Sequence, residues 1–256
     1  DLTREQLIST KQTIQTGFNA PNGGADSIGP TVNDDYWNTN YGKIGFYFAN
    51  DYPQKDTTVN KIPLNYNSQY NFYVSQKGTY QTKPNANQTA EFFTSVVDSN
   101  YEKLNKMVGD IVAKLNQNKE ASLTININAS CSAPQTASYN VELSKRRISS
   151  AKLFFEENES LKPFLSGTPK RLTISETKDP PGENTQVLQF DASEKKFKPG
   201  SSVNCTDRDV NAQGGDTQVG SKDVFTTNAM ACRRAVMTSF SWKTPTKTEE
   251  TPNYTT

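Results

Sequence analysis

The stretch SLTININASCSAPQTASYNVELSKRRISSAKLFF, Ser122 to Phe155, decides the fold. Its first residues alternate, with Leu123, Ile125, Ile127 and Ala129 apolar and Thr124, Asn126 and Asn128 polar. A period of two is a strand with one buried face. The segment Cys131 to Thr136 carries a proline and reads as a loop. From Tyr139 onward the spacing becomes helical, with Ile148, Ala151 and Phe155 on the apolar side. Two adjacent arginines, Arg146 and Arg147, stand in the middle of that helix, where it should be packing.

Outward from this unit the alternation of strands and helices continues. Upstream, Phe93, Val97, Tyr101, Leu104, Val108, Ile111 and Leu115 recur at steps of three and four, one apolar stripe on a long helix. IGFYFAN, Ile44 to Asn50, is an aromatic-rich run stopped by Asp51-Tyr52-Pro53 and reads as a buried strand. Downstream, RLTIS, Arg171 to Ser175, is a third strand after the turn residues Gly167 and Pro169, and AVMTSFSW, ending at Trp242, is a fourth. The order β-α-β-α-β-β predicts an α/β (α+β sandwich) domain, a mixed sheet with helices on one face.

That domain spans residues 43–242 in this reading, with insertions at 54–87 and 178–222. The first insertion is polar and tyrosine-rich, has no clear period, and reads as a long loop. Residues 1–42 form an extension, with DLTREQLISTKQTIQT as a short polar helix and APNGGADSIGPTVNDD as loop. Residues 243–256 have no periodicity and read as a tail or linker. A chain that starts at Asp1 reads as a processed or trimmed product.

Composition narrows the function. Of the 256 residues 33% are hydrophobic, with mean hydropathy -0.77, enough for one modest core but not for one spanning the whole length. The 28 Lys and Arg are scattered among 27 Asp and Glu, so no basic stripe exists to neutralise a nucleic acid. No apolar run is long enough to cross a bilayer. Histidine is absent, which removes the usual general base, the Ser-His and Cys-His pairs and the commonest metal ligand. No metal and no cofactor is expected, and no catalytic residue is evident. Cys131, Cys205 and Cys232 are too far apart for a CxxC motif; one bridge plus a free thiol, or three buried thiols, both fit.

Two motifs together carry a resemblance. Tyr139-Asn140, Leu143-Ser144 and Arg147 stand at the spacing of Tyr-Asn-x-x-Leu-Ser-x-x-Arg, and AMACRRAVM, Ala229 to Met237, looks like Asn-Arg-Arg-Val-Glu-Ile at the start of a last strand. With FYFANDYP as a first strand, the chain resembles the OmpA-like (peptidoglycan-associated, MotB-like) domain family from about Ile44 to Trp242. The resemblance implies noncatalytic binding of the peptidoglycan stem peptide. A turn aspartate would meet the amine of diaminopimelate, and the helix arginine, here Arg147, its carboxylate. One fixed charge of each sign suits a zwitterion, and a guanidinium can grip a carboxylate bidentately. Asn140 lies about two helical turns before Arg147 and can share its pocket.

At the turn the sequence departs from the family. The Thr-Asp pair falls on Cys131-Ser132, neither of which is an acid. Ser132 is then a hydrogen-bond donor for the ligand, and Asp51 a neighbouring carboxylate. Arg233 and Arg234 are further ligand candidates, though neighbours on a strand point to opposite faces and at most one serves a given pocket. Arg146 has no family counterpart and reads as solvated. Cys232 bridged to Cys205 or to Cys131 would pin the second insertion to the sheet. Tyr66, Tyr70, Tyr73 and Tyr80 either form a partner surface or pack on their own domain.

The resemblance implies a role in anchoring or positioning an assembly in the periplasm or at the outer membrane, with peptidoglycan and other protein subunits as partners. The alternative is a structural component of an envelope complex, or of a phage or phage-like particle, that keeps the fold and has lost the ligand.

Overall fold

The computed structural model describes residues 33–42, 44–55, 62–82, 86–132, 137–177, 188–199, 205–207 and 225–244. The expected polar helix at the amino end, the tail after residue 244 and much of the second insertion lie outside them. In chain order the elements are α1 (Asp34–Tyr41), β1 (Gly45–Tyr47), α2 (Tyr66–Ser75), α3 (Lys77–Gln81), α4 (Ala86–Glu91), a π-helical turn π1 (Phe92–Asp98), α5 (Ser99–Gln117) and β2 (Ser122–Ser132). There follow α6 (Ala137–Glu156), α7 (Lys162–Ser166), β3 (Leu172–Glu176), β4 (Leu188–Asp191), β5 (Lys196–Pro199), β6 (Cys205–Asp207), α8 (Thr227–Cys232) and β7 (Arg234–Lys243). The α+β class and the mixed sheet stand as the sequence predicts.

The sheet order is β1-β7-β2-β3, with β6 beside the far end of β2 and β4-β5 a separate hairpin. β2 and β3 are parallel, as a crossover through α6 requires, and β7 is antiparallel to both β1 and β2. Leu123, Ile125, Ile127 and Ala129 of β2 are buried, with Leu172 and Ile174 of β3 and Met237 and Phe240 of β7, in a core closed by Leu104, Val108, Ile111 and Leu115 of α5 and Ile148, Ala151 and Phe155 of α6. Thr124 and Asn126, pointing the other way, are half-buried.

Four features differ from the sequence reading. The residues expected to form a loop at 54–87 include α2 and α3, and their tyrosines face inward: Tyr66, Tyr73 and Tyr80 are buried. They pack on the domain itself. Their hydroxyls also serve the backbone, Tyr47 N donating to Tyr66 Oη at 2.9 Å and Asn50 N to Tyr80 Oη at 3.1 Å. With Gly45 N donating to Asn100 Oδ1 at 2.9 Å, side chains satisfy donors of β1 that its pairing with β7 leaves over.

The second difference is that helices do not cover one face alone. Tyr47 and Ala49, alternating with Phe46 and Phe48, enter a second core with Tyr73, Tyr80, Phe92, Phe93, Val96, Val97, Met230 and Ala231. The turn π1 explains how one long stripe serves two cores. Its i to i+5 bonding is wider than an α turn and rotates the face, so Phe93 and Val97 point to the second core while Leu104 onward point to the first.

Third, the domain begins before residue 43. α1 is capped by Asn33, whose side chain accepts from Asp35 N, and it buries Trp37 and Tyr41 against β7. The Trp37 ring lies 5.9 Å from Phe240 and 5.1 Å from Trp242. Where β1 stops, side chains of α1 continue the ladder: Phe240 N donates to Asn38 Oδ1 at 2.9 Å and Trp242 N to Asp34 Oδ1 at 2.6 Å. Fourth, β2 runs on through Ser132, so the expected loop at Cys131 is strand. Among the described residues no helix is long and apolar enough to cross a membrane.

The buried tyrosines make the fold sensitive to alkali. Burial raises the hydroxyls of Tyr66 and Tyr73 above the ordinary tyrosine value. Above about pH 10 the unfolded chain releases these protons and the folded chain holds them, so stability falls as pH rises. The last part of the tyrosinate absorbance rise, from the buried rings, should therefore coincide with loss of the circular dichroism signal on one alkaline titration; ionisation of all the tyrosines with the fold intact would contradict this.

Candidate functional site

The residues singled out by the sequence gather where β1 ends, β2 ends and β7 begins. Arg147 reaches this place from α6 because it shares the inward face with Leu143, Ile148 and Ala151. It is 0% exposed. Nε donates to Tyr52 O at 3.0 Å, and Nη1 donates to Ser130 O at 2.8 Å and to Cys131 Sγ at 3.2 Å. The guanidinium lies over the Phe48 ring, 5.5 Å from its centroid. Burial pushes its pKa below the ordinary arginine value; the Cys131 sulfur opposes that, and the charges of Arg233 and Arg146 add to it.

Among the described side chains no carboxylate pairs with this guanidinium. The ion pairs among the described residues involve lysines at the surface, and Arg147 Nη2 is buried with no hydrogen-bond partner among the described residues. The sulfur beside it belongs to a free thiol, with Ser144 Oγ at 3.2 Å and Asn140 O, which accepts from it, at 3.4 Å. Asn140 is buried on the same helix face.

Arg146 is half-buried rather than solvated. Its Nε donates to Pro53 O at 2.7 Å and its guanidinium lies 5.7 Å from the Tyr139 ring centroid. Adjacent arginines therefore hold adjacent carbonyls, and the loop after β1 is clamped to α6. Asp51, in the left-handed region at φ 61, accepts a hydrogen bond from the Tyr139 hydroxyl, so its carboxylate is engaged at the loop and does not face Arg147 as a partner.

Arg233 and Arg234 do not divide between two strand faces, because only Arg234 is on the strand. Arg233 caps α8, its backbone N donating to Met230 O at 3.2 Å, and its carbonyl accepts from Phe48 N at 2.9 Å. Its guanidinium is buried, with Nη1 at 3.4 Å from Asn50 Oδ1 and Nη2 at 3.4 Å from Tyr80 Oη. Arg234, also buried, opens β7 in register with Tyr47 and Ser130. Tyr73, which the sequence placed on a partner surface or in the domain's own packing, also belongs to this cluster: its hydroxyl feels the charges of Arg233 and Arg147.

The position of Ser132 is the main departure. Where a ligand turn was expected, the edge of β2 is occupied: Ser130, Cys131 and Ser132 pair antiparallel with Asp207, Thr206 and Cys205 of β6. Cys232 is disulfide-bonded and Cys131 is free, which answers the question of whether those two are joined to each other. Among the described residues no group of His, Cys, Asp or Glu is gathered as a metal site. A scan against models of protein families, a search of curated proteins and a search of solved structures each return no match to this chain.

Proposed function

We propose that this chain is a noncatalytic OmpA-like domain in which the family's ligand arginine has become part of the fold, and that it serves as a structural component of an envelope complex or a phage-like particle. One observation carries this reading. Arg147, at the carboxylate-binding position of the family, is fully buried and spends Nε and Nη1 on the carbonyls of Tyr52 and Ser130, with no acid among the described side chains to complete a zwitterion site. Among the described residues only Tyr36 is a large hydrophobic side chain left exposed, at 36%. Partner contacts on the described surface would therefore be polar.

A second reading, retention of peptidoglycan binding, is favoured by Nη2 of Arg147, which has no partner among the described residues and is one donor that a stem-peptide carboxylate would satisfy. Sedimentation with purified sacculi separates the two. The structural reading expects the full chain to stay in the supernatant; sedimentation that excess free diaminopimelate competes away would replace it with the binding reading.

A further inference from the structure

The short strand β6 is joined to the sheet at a point that matters. It lies along β2 at Ser130–Ser132, beyond the end of β3, and also rests against α6 and α8. Ser130 ties the surroundings together: its carbonyl accepts from Arg147 Nη1, its hydroxyl donates to Cys232 O at 2.8 Å, and its backbone sits between Asp207 and Arg234. Cys232 is disulfide-bonded and Cys131 is a free thiol, and the sequence holds one further cysteine, Cys205, the first residue of β6. Three paired residues are a weak attachment by themselves, since even a complete two-stranded hairpin is marginal in water. A covalent tether changes that by removing the entropy gained when the strand leaves.

We propose that β6 is a strap, held by the Cys232 disulfide, that closes the Arg147 position, and that breaking this bond frees β6 and opens the edge of β2 without unfolding the domain. The inference rests on the reading of Arg147 as a closed ligand position. Opening takes two electrons and two protons from a dithiol, which leaves as its own disulfide while Cys232 and its partner become thiols. The device is a local opening of low cost inside a stable fold, because the ladder from Leu123 to Ile127 with β3 and the pairing with β7 do not depend on β6.

Cys131 is a built-in reporter. It is 1% exposed, lies on β2 opposite Thr206, and touches Arg147. The test compares the unreduced full chain with the double variant Cys205→Ser/Cys232→Ser, in each of which Cys131 is the one free thiol. Alkylation by a small reagent such as iodoacetamide should be at least about tenfold faster in the variant, as expected for a locally opened segment, while amide exchange from Leu123 to Ile127 stays slow. Equal alkylation rates would overturn the strap. So would faster alkylation accompanied by lost protection across Leu123 to Ile127, because the disulfide would then be a staple of the whole fold. Sedimentation of the unreduced chain with sacculi, which would sink the structural reading, leaves this comparison untouched, so the two fail separately.

Discussion

Arg147→Ala should destabilise the domain by about 3 kcal/mol, measured by urea unfolding against the wild type. The change leaves the carbonyls of Tyr52 and Ser130 without their donor, and hydrogen bonds from charged groups are worth about 1.5–3 kcal/mol each. It also opens a void under the Phe48 ring. Against these losses stands the relief of no longer burying a charge, which costs several kcal/mol in a protein interior. Arg147→Met separates the terms. It retains much of the volume and removes the charge, so its loss should be smaller than that of Ala by about 1–2 kcal/mol. Arg147→Lys should fall near Ala, because a single ammonium does not reproduce the fork that spans two carbonyls. A loss within about 0.5 kcal/mol for Ala is what a surface side chain would show, and it would remove Arg147 from the architecture.

Trp37→Ala should cost about 3–5 kcal/mol, the range for deleting a large buried aromatic side chain. The indole is 0% exposed and meets Tyr41, Phe240 and Trp242. Were residues 1–42 a mere extension, the same substitution would leave the thermal midpoint unchanged, so one melting curve decides where the domain begins. Asn38→Ala is a milder companion, expected to cost about 1–2 kcal/mol because the N–H and C=O of Phe240 lose the side-chain amide that completes the edge of β7.

The strands and the main helix were legible because burial on one face imposes a period, and Leu123 to Ala129 or Leu104 to Leu115 display it without interruption. α1 was not, since its apolar content is three aromatic residues in eight, with Tyr36 pointing out to solvent. The helices at 66–81 were missed for a different reason: Tyr66 belongs to one core and Tyr73 to the other, so no single stripe forms. The continuation of β2 did leave a trace, because Cys131 keeps the odd-numbered parity of Ile127 and Ala129; the proline at 134 outweighed it.

At the site, the sequence named Arg147 but not what it holds. Its partners are mostly backbone carbonyls, which every residue carries and no motif records. The reassignment of Arg233 has a similar origin. Read as strand, Arg233 and Arg234 alternate; the short α8 ending at Cys232 puts Arg233 in a cap and both side chains in the interior. The mutual placement of the arginines is a tertiary property, and it makes Arg146 and Arg147 a clamp on the loop after β1.

The seam between α1 and β7 has an optical consequence. The chain has two tryptophans, and Trp37 and Trp242 lie 5.1 Å apart at that seam. Intrinsic tryptophan emission therefore reports the docking of the first helix and is blind to events around Arg147 and β6. An experimenter who follows only that colour will watch one end of the molecule open or close, and must place a separate label at the other end to see the strap move.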